Sequence, residues 1–457
     1  VRDVTEEHLL SQQLTYQATH DSLTRLANRL LFEERLKKAL DRPSDGCNCL
    51  ALLFIDLDDF KGVNDTLGHH VGDQVLIGVA DRLRGLCRPG DTLSRFGGDE
   101  FLYLAEDLTA PEEAIWLTEQ FLRAFEQPFF ISGVQLDLRG SIGVVCCTAD
   151  DRVEYRCGKD PGLLIKDGDT ALHEAKRQGK GRYALFRPEL RYEASKRFEL
   201  AQELRHAVEA NELTMHYQPI IDLTNAEVVG FEALMRWMHP QRGWVGPDVF
   251  IPMAEQSELI IELGALALRQ ATEEFASWDN RLSEKACPYV SVNLSVRQFH
   301  DPALVDRIVE ALDVSGIQPR QLVVEITESV ALVDVDIATG IIKELNDLGV
   351  RIALDDFGTG YSSLSYLDQL HPHIIKMDRY FVRSMNQKES ASYLVKAMIS
   401  LGHSLESVVV AEGIETHAQL EFLVELGCDL GQGFLYSPAV PSREALEMLV
   451  RQPFKNL

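Results

Sequence analysis

Residues 321–358 read QLVVEITESVALVDVDIATGIIKELNDLGVRIALDDFG. The stretch opens on a short apolar run ending in acids, passes through a helix-like segment and closes on a second apolar run, again ending in acids. A short apolar run bounded in this way reads as a buried strand. Strand, helix and strand in that order make a parallel unit. The rhythm continues on both sides. LTMHYQPII (213–221), VVGFEALMRW (228–237), YVSVNLS (289–295), HIIKMDR (373–379), VVVAEGIE (408–415) and GQGFLYS (431–437) are further apolar runs, most of them separated by helical stretches. Alternation at this count within about 250 residues predicts a (β/α)₈, TIM-like barrel. Glu232, Asn293, Glu325, Asp355, Asp356, Lys376 and Glu412 fall near the C-terminal ends of different runs, the two aspartates sharing one. In such a barrel those ends converge on one face, where active sites are built. Carboxylates crowded there need metal ions to offset their repulsion. A two-metal phosphodiester site is the economical reading.

The first half has another order. CLALLFIDLDDF (49–60) is an apolar run ending in acids, and residues 64–87 return to helical period. TLSRFGGDEFLYLAE (92–106) joins two apolar runs through Gly97-Gly98, which predicts a β-hairpin with Asp99 and Glu100 at its tip. A helix near 111–127, strands within FFISGVQLDLRGSIGVVCC, a helix near 168–178 and a last strand, YALF, complete the half. The order is that of a ferredoxin-like palm with additions, an α+β domain before the α/β barrel. If the first strand and the hairpin are neighbours, Asp56, Asp99 and Glu100 can hold Mg²⁺ against a triphosphate. SLTRLANRLLFEERLKKAL (22–40) predicts a helix capped at Asp21 or Ser22. We place a helical linker at 1–19, the first domain at 20–190 and the second at 196–457.

The 457 residues carry a net charge of −26, with −9 up to residue 195 and −17 beyond it. Neither part is a basic module, which argues against binding a nucleic-acid backbone. No stretch approaches the roughly 18 apolar residues of a membrane span. Eight sparse cysteines without a CxxC suggest reduced thiols and a cytoplasmic module.

The motifs sharpen this reading. HDSLTRLANR (20–29), FIDLDDFKGVNDTLGHHVGDQVL (54–76), RFGGDEF (95–101) and DTALHEAKRQGKGR (169–182) resemble the GGDEF family of diguanylate cyclases. That resemblance implies metal ligation by Asp56 and Glu100, with Asp99 assisting or activating the 3′ hydroxyl of GTP. It implies guanine contacts from Asn64 and Asp73, phosphate contacts from Lys61, Lys176 and Lys180, and an inhibitory product site at Arg88 and Asp91. Lys180 stands where the family commonly has Arg, and His173 where Tyr is usual.

YQPI, FEALMRW, SVNLS, VVEITES, LDDFGTGYSSLSYL, IKMD, VVAEGIET and GQGFLYSP resemble the EAL-type cyclic-di-GMP phosphodiesterases. The implied metal ligands are Glu232, Asn293, Glu325, Asp355, Asp356 and Glu412. Lys376 would orient or deprotonate the attacking water. Glu415 and Gln432 would support it or meet substrate, Arg236 would contact phosphate and Gln218 would seat the substrate. FGTGYSS (357–363) resembles the loop that couples dimerisation to metal binding.

Together the resemblances imply a homodimeric enzyme of c-di-GMP turnover, with Mg²⁺ or Mn²⁺ in both domains. The alternatives are a hydrolase with a GTP-binding regulatory domain, or a non-catalytic c-di-GMP receptor. VRDVTE at the start resembles the end of a PAS-type sensor, which implies an upstream sensor and a parent protein that could be membrane-tethered.

Overall fold

Strand β1 (Cys49–Leu57) is buried at every position, as its unbroken apolar run requires of a strand covered on both faces. It lies at the centre of a five-stranded sheet ordered β2-β3-β1-β6-β7. The other members are β2 (Thr92–Gly97), β3 (Glu100–Leu108), β6 (Gly140–Cys147) and β7 (Tyr183–Leu185). β1 runs antiparallel to both neighbours, and β6–β7 is parallel. A small separate hairpin, β4 (Phe129–Ile131) and β5 (Val134–Leu136), stands outside this sheet.

Helices α1 (Arg29–Asp41), α2 (Phe60–Leu67), α3 (His69–Arg84), α4 (Pro111–Ala124) and α5 (Pro161–Arg177) complete this computed structural model's first half, before α6 (Pro188–Ala210). The structure describes residues 14–42, 49–147, 160–210, 212–279, 288–328, 335–358, 370–385 and 389–455. It divides into Val1–Phe198 and Glu199–Leu457. Residues 14–19 of the expected linker are helical. The sensor-like start and residues 359–363 of the coupling loop lie outside the described residues.

The helix expected from Asp21 begins later. Asp21 instead closes a turn, accepting bonds from the Thr24 backbone N at 2.8 Å and Thr24 Oγ1 at 2.7 Å. Arg25 is left-handed at φ 61°. Ala27 forms a bridge to Ser94, which draws this segment out along β2. Asn28 then caps α1, its side chain accepting from Leu31 N at 3.1 Å. The helical period over 64–87 resolves into α2 and α3, divided at Gly68 with φ 83°. α5 starts seven residues before its expected position, where Asp160 caps it and Pro161 takes the first turn.

The second unit is a closed barrel of eight strands: β8 (Leu213–Asp222), β9 (Val228–His239), β11 (Tyr289–Leu294), β12 (Leu322–Thr327), β13 (Arg351–Phe357), β14 (Ile374–Met377), β15 (Val408–Ala411) and β16 (Leu430–Gly431), while the short β10 (Gly243–Val245) pairs antiparallel with the end of β9 outside the ring. Seven are parallel in sequence around the ring. β8 is antiparallel to both β9 and β16. A two-stranded hairpin thus replaces the first strand-helix unit of a regular (β/α)₈ barrel.

The barrel floor is apolar. Ile220, Tyr289, Val323, Ala353, Ile374, Val410 and Leu430 form one buried cluster, with one residue from each of seven strands. Gly230 completes the ring on β9, because a Cβ there would lie 2.7 Å from the Tyr289 ring. This floor positions the site, since strand residues two apart share a face.

Candidate functional site

Counting two residues on from the floor gives Glu232, Ser291, Glu325, Asp355, Lys376, Glu412 and Gln432. On β8 the count runs backwards, because the strand is reversed, and gives Gln218. Gln218 and Glu232 are direct partners in the β8–β9 register. A polar layer therefore sits directly over an apolar one, and two further residues along β11 bring Asn293 to the same mouth.

Lys376 occupies the middle of this layer and is almost fully buried. Its Nζ donates to Glu325 Oε2 at 2.6 Å and Glu232 Oε2 at 3.1 Å. It also lies 2.8 Å from Glu412 Oε1 and 3.4 Å from Asp355 Oδ1. Burial alone would lower its pKa, but the surrounding carboxylates raise it well above the usual lysine range. Glu232 is held further by Asn293 Nδ2 at 2.7 Å and Gln432 Nε2 at 2.7 Å. Gln432 Nε2 also reaches Gln218 Oε1 at 3.0 Å. Gln218 in turn donates to the Ser437 carbonyl.

One lysine does not balance these acids. Burial, followed by the neighbouring charges, raises Glu325 well above the carboxylate range and pushes Glu412 up to about 8. Asp356, at φ 54°, is raised by burial and by Asp355. Oxygens of Asp355, Asp356 and Glu412 lie within 4.8 Å of one another. Hard oxygen donors at that spacing, with excess negative charge, fit a divalent cation. Arg236 lines the adjoining cavity with Asn293, Asp355 and Asp356. Glu415 stands apart, paired with Arg383 at 2.5 Å.

In the first unit, Asp56 and Glu100 are direct cross-strand partners of β1 and β3. Gly98 has φ 50° at the hairpin turn, next to Asp99. Burial raises the pKa of both Asp56 and Glu100, and Asp99 adds to each shift. Lys176 Nζ lies 2.6 Å from Asp56 Oδ1. Asp169 is a further acid acting on Glu100. It has no role in the sequence reading, although it opens the DTALHEAKR motif. Facing carboxylates with raised pKa values suit a cation here too.

Asn64 lies against Gly72, where a Cβ would be 1.9 Å from Asn64 Oδ1. The side chain thus rests in the notch beside Asp73. Lys61 is exposed on α2. Lys180 pairs with Asp59 at 2.7 Å.

Arg88 and Asp91 form a bidentate pair, Nε to Oδ2 at 2.8 Å and Nη2 to Oδ1 at 3.2 Å. Arg88 Nη1 also donates to Glu113 Oε1 at 2.6 Å, and Nη2 to the Glu106 carbonyl at 3.0 Å. Tyr103 donates its hydroxyl to Asp91. Glu113 escaped the sequence reading because it lies 25 residues from Arg88, on a helix with two other acids, Glu112 and Glu119.

Facing acids on β1 and β3, and an acid layer at the mouth of a closed barrel, define a tandem of two domains, each with an acid-lined site. The chain belongs to the EAL domain family, which it matches over residues 201–439, and residues 18–182 match the diguanylate cyclase GGDEF domain. Domains of these families generally use divalent metals.

It is 38% identical over 436 residues to the bifunctional diguanylate cyclase/cyclic di-GMP phosphodiesterase MucR of Pseudomonas aeruginosa, covering 95% of this chain and 62% of MucR. It is 37% identical over 438 residues to the cyclic di-GMP phosphodiesterase NbdA of the same species, covering 96% of this chain and 54% of NbdA. The solved PaMucR phosphodiesterase in complex with c-di-GMP is 40% identical, with a TM-score of 0.52, and covers 54% of this chain and 99% of that structure. The chain thus spans between half and two thirds of the length of these two curated relatives. Among the described residues, no helix is long and apolar enough to cross a membrane.

Proposed function

We propose that this chain is a bifunctional c-di-GMP turnover module. The first domain, 20–190, would condense two GTP to c-di-GMP with release of pyrophosphate. The second, 196–457, would hydrolyse c-di-GMP to linear pGpG. The observation that carries the reading is the barrel's polar layer, where four carboxylates meet one buried lysine with Asn293 and Gln432 alongside.

Glu232, Asn293, Glu325, Asp355, Asp356 and Glu412 would hold Mg²⁺ or Mn²⁺ there, and Asp56 and Glu100 in the first domain. Bound divalent ions supply Lewis-acid charge that activates an oxygen nucleophile and stabilises phosphate. Lys376, fixed by its acid neighbours, orients the water and offsets charge on the phosphate. Asn293 and Gln432 hold Glu232 in one orientation. Gln218 and Arg236 would seat the substrate, and Glu415, paired with Arg383, would support the water or meet substrate. In the cyclase, Asp99 would assist the 3′ hydroxyl, Asn64 and Asp73 read guanine, and Lys61, Lys176 and Lys180 meet phosphates. Two loaded half-sites must face each other to close the ring, so the first domain works as a homodimer. Arg88 and Asp91 would take product as an inhibitory site. The setting we propose is cytoplasmic, downstream of a sensor.

Chromatography of products from the purified chain, given GTP or c-di-GMP with Mg²⁺ or Mn²⁺, tests this. Glu100→Ala should stop c-di-GMP synthesis, and Glu232→Ala should stop pGpG formation. Hydrolysis without any GTP consumption would reduce the first domain to a regulator. Tight c-di-GMP binding with neither turnover would make the chain a receptor.

A further inference from the structure

The turn that follows α5 leaves the ordinary backbone region. Gly179, Lys180 and Gly181 have φ of 119°, 55° and 61°. Glycine takes such angles freely, but at Lys180 they cost energy. A strained residue of this kind persists only where its surroundings over-determine it. On the helix side the hold is ordinary: Gly179 N and Lys180 N both donate to the Lys176 carbonyl, at 3.2 and 3.3 Å.

On the far side the hold is Asp58. This residue follows β1 directly and is buried. Gly181 N donates to Asp58 Oδ2 at 2.9 Å and also reaches Ser141 Oγ at 3.2 Å. The Ser141 hydroxyl donates to the same carboxylate, 2.8 Å from Oδ1 and 3.0 Å from Oδ2. Among the described residues no lysine or arginine pairs with Asp58, and its charge adds to the repulsion on Asp56. A buried carboxylate so close to the acid pair is costly, yet Asp58 takes no part in the cyclase roles proposed above.

The consequence falls on Lys180. Its ammonium ends 2.7 Å from Asp59 Oδ1, beside the residue that holds the turn. Both side chains are exposed there, 45% and 78%, so the pair is weak and a phosphate oxygen can replace Asp59. We infer that Asp58 is a positioning residue of the cyclase: through Gly181 N and Ser141 it fixes the left-handed turn, and the turn delivers Lys180 to the phosphates of GTP. A carboxylate suits this post because it offers two acceptor oxygens and no donor. Without it the turn would relax towards ordinary backbone angles and carry the ammonium away from the end of β1.

The inference rests on the first domain being a cyclase that grips phosphate with Lys180, and the test separates the steps. Initial rates of pyrophosphate release from GTP with Mg²⁺ give kcat and KM on the full chain. The comparison is between wild type, Asp58→Asn, Lys180→Ala and the double variant. Lys180→Ala should raise KM about tenfold, the scale of a charged hydrogen bond, with kcat changed by less than about threefold. Asp58→Asn is nearly isosteric but exchanges one acceptor oxygen for a donor. It should raise KM by about three- to tenfold, and the double variant should be no worse than Lys180→Ala, because both act through one ammonium. Effects that multiply in the double variant would give Asp58 a role independent of Lys180 and overturn the inference. So would unchanged kinetics in Asp58→Asn, or a loss of kcat at unchanged KM, which would place its action at the metal-binding acids. Should Asp58→Asn lose all turnover, Ser141→Ala, which removes the shared hydroxyl and keeps the carboxylate, is put through the same cycle with the same reading. An ordinary KM in Lys180→Ala overturns the phosphate role of Lys180 and this inference with it, leaving the cyclase in place. Wild type that releases no pyrophosphate overturns the cyclase reading itself.

Discussion

Arg88 shows how far single-residue chemistry can be read. A guanidinium has five N–H donors, and four of them are already engaged: two on Asp91, one on Glu113 and one on the Glu106 carbonyl. An incoming phosphate or guanine at an inhibitory site must therefore displace a partner. Glu113 is the one to yield, because its pair with Arg88 is part-exposed, 29% against 32%, while Asp91 is buried and also held by Tyr103. Glu113→Gln should lower the c-di-GMP concentration that half-inhibits GTP turnover by about two- to fivefold, the scale of a part-exposed ion pair. Arg88→Ala should abolish the inhibition. A higher inhibitory concentration in Glu113→Gln would mean that Glu113 positions Arg88 instead of competing for it. The GGDEF resemblance pointed to Arg88 and Asp91, but no motif could point to Glu113. Its place depends on α4 meeting the loop before β2, a tertiary fact.

At the scale of elements, legibility followed periodicity. Seven of the barrel runs were readable because short apolar stretches ending in polar residues mark buried strands, whereas the eighth, GQGFLYS, is mostly turn and the two-residue β16 (Leu430–Gly431) only overlaps its start. What periodicity does not carry is direction, so the reversal of β8 was invisible. The start of α1 was misread because helical spacing in SLTRLANR was overridden by Arg25 in left-handed backbone and by the Ala27–Ser94 bridge.

The ends of α5 and α6 show a second kind of hidden element contact. Asp167 on α5 is fully buried and pairs with Arg191 of α6 through two bonds of 2.5 and 2.6 Å. Two residues before Lys176, Glu174 is bound by Arg177 and Gln178, with Arg197 nearby, and these hold its carboxyl down to about 2. A depressed carboxylate contributes stability that is complete above the unfolded value of 4.5 and is lost as pH falls towards 2. Glu174→Gln should thus destabilise the first unit at neutral pH by on the order of 2 kcal/mol, discounted for the half-exposed Arg177. The difference from wild type should shrink as urea titrations are taken from pH 5 down to 2.5. A difference independent of pH would assign the loss to packing.

Across the whole molecule, the net charge of −26 poses a question that only the two acid clusters answer. A chain this acidic should repel a cyclic dinucleotide with two phosphates, and its own compact state is strained by self-repulsion. Divalent cations relieve both at once, provided they bind the native acids and not the unfolded chain. Binding to the native state alone stabilises by about 2.7 kcal/mol at a hundred times Kd. For a domain of barrel size each kcal/mol moves Tm by about 2–4 °C. Saturating Mg²⁺ or Mn²⁺ should therefore raise the barrel's melting transition by about 5–10 °C, and chelation should remove the rise together with both activities. Asp355→Asn combined with Glu412→Gln should abolish the shift, because two of the three clustered oxygens lose their charge. Sodium chloride at equal ionic strength screens diffuse repulsion but places no charge between specific carboxylates. It should reproduce only a small part of the shift in wild type and an equal part in the variant. If sodium chloride gave the full rise, the acid layer would be an ordinary charged surface relieved by screening, and the metal assignment in the barrel would fall with it.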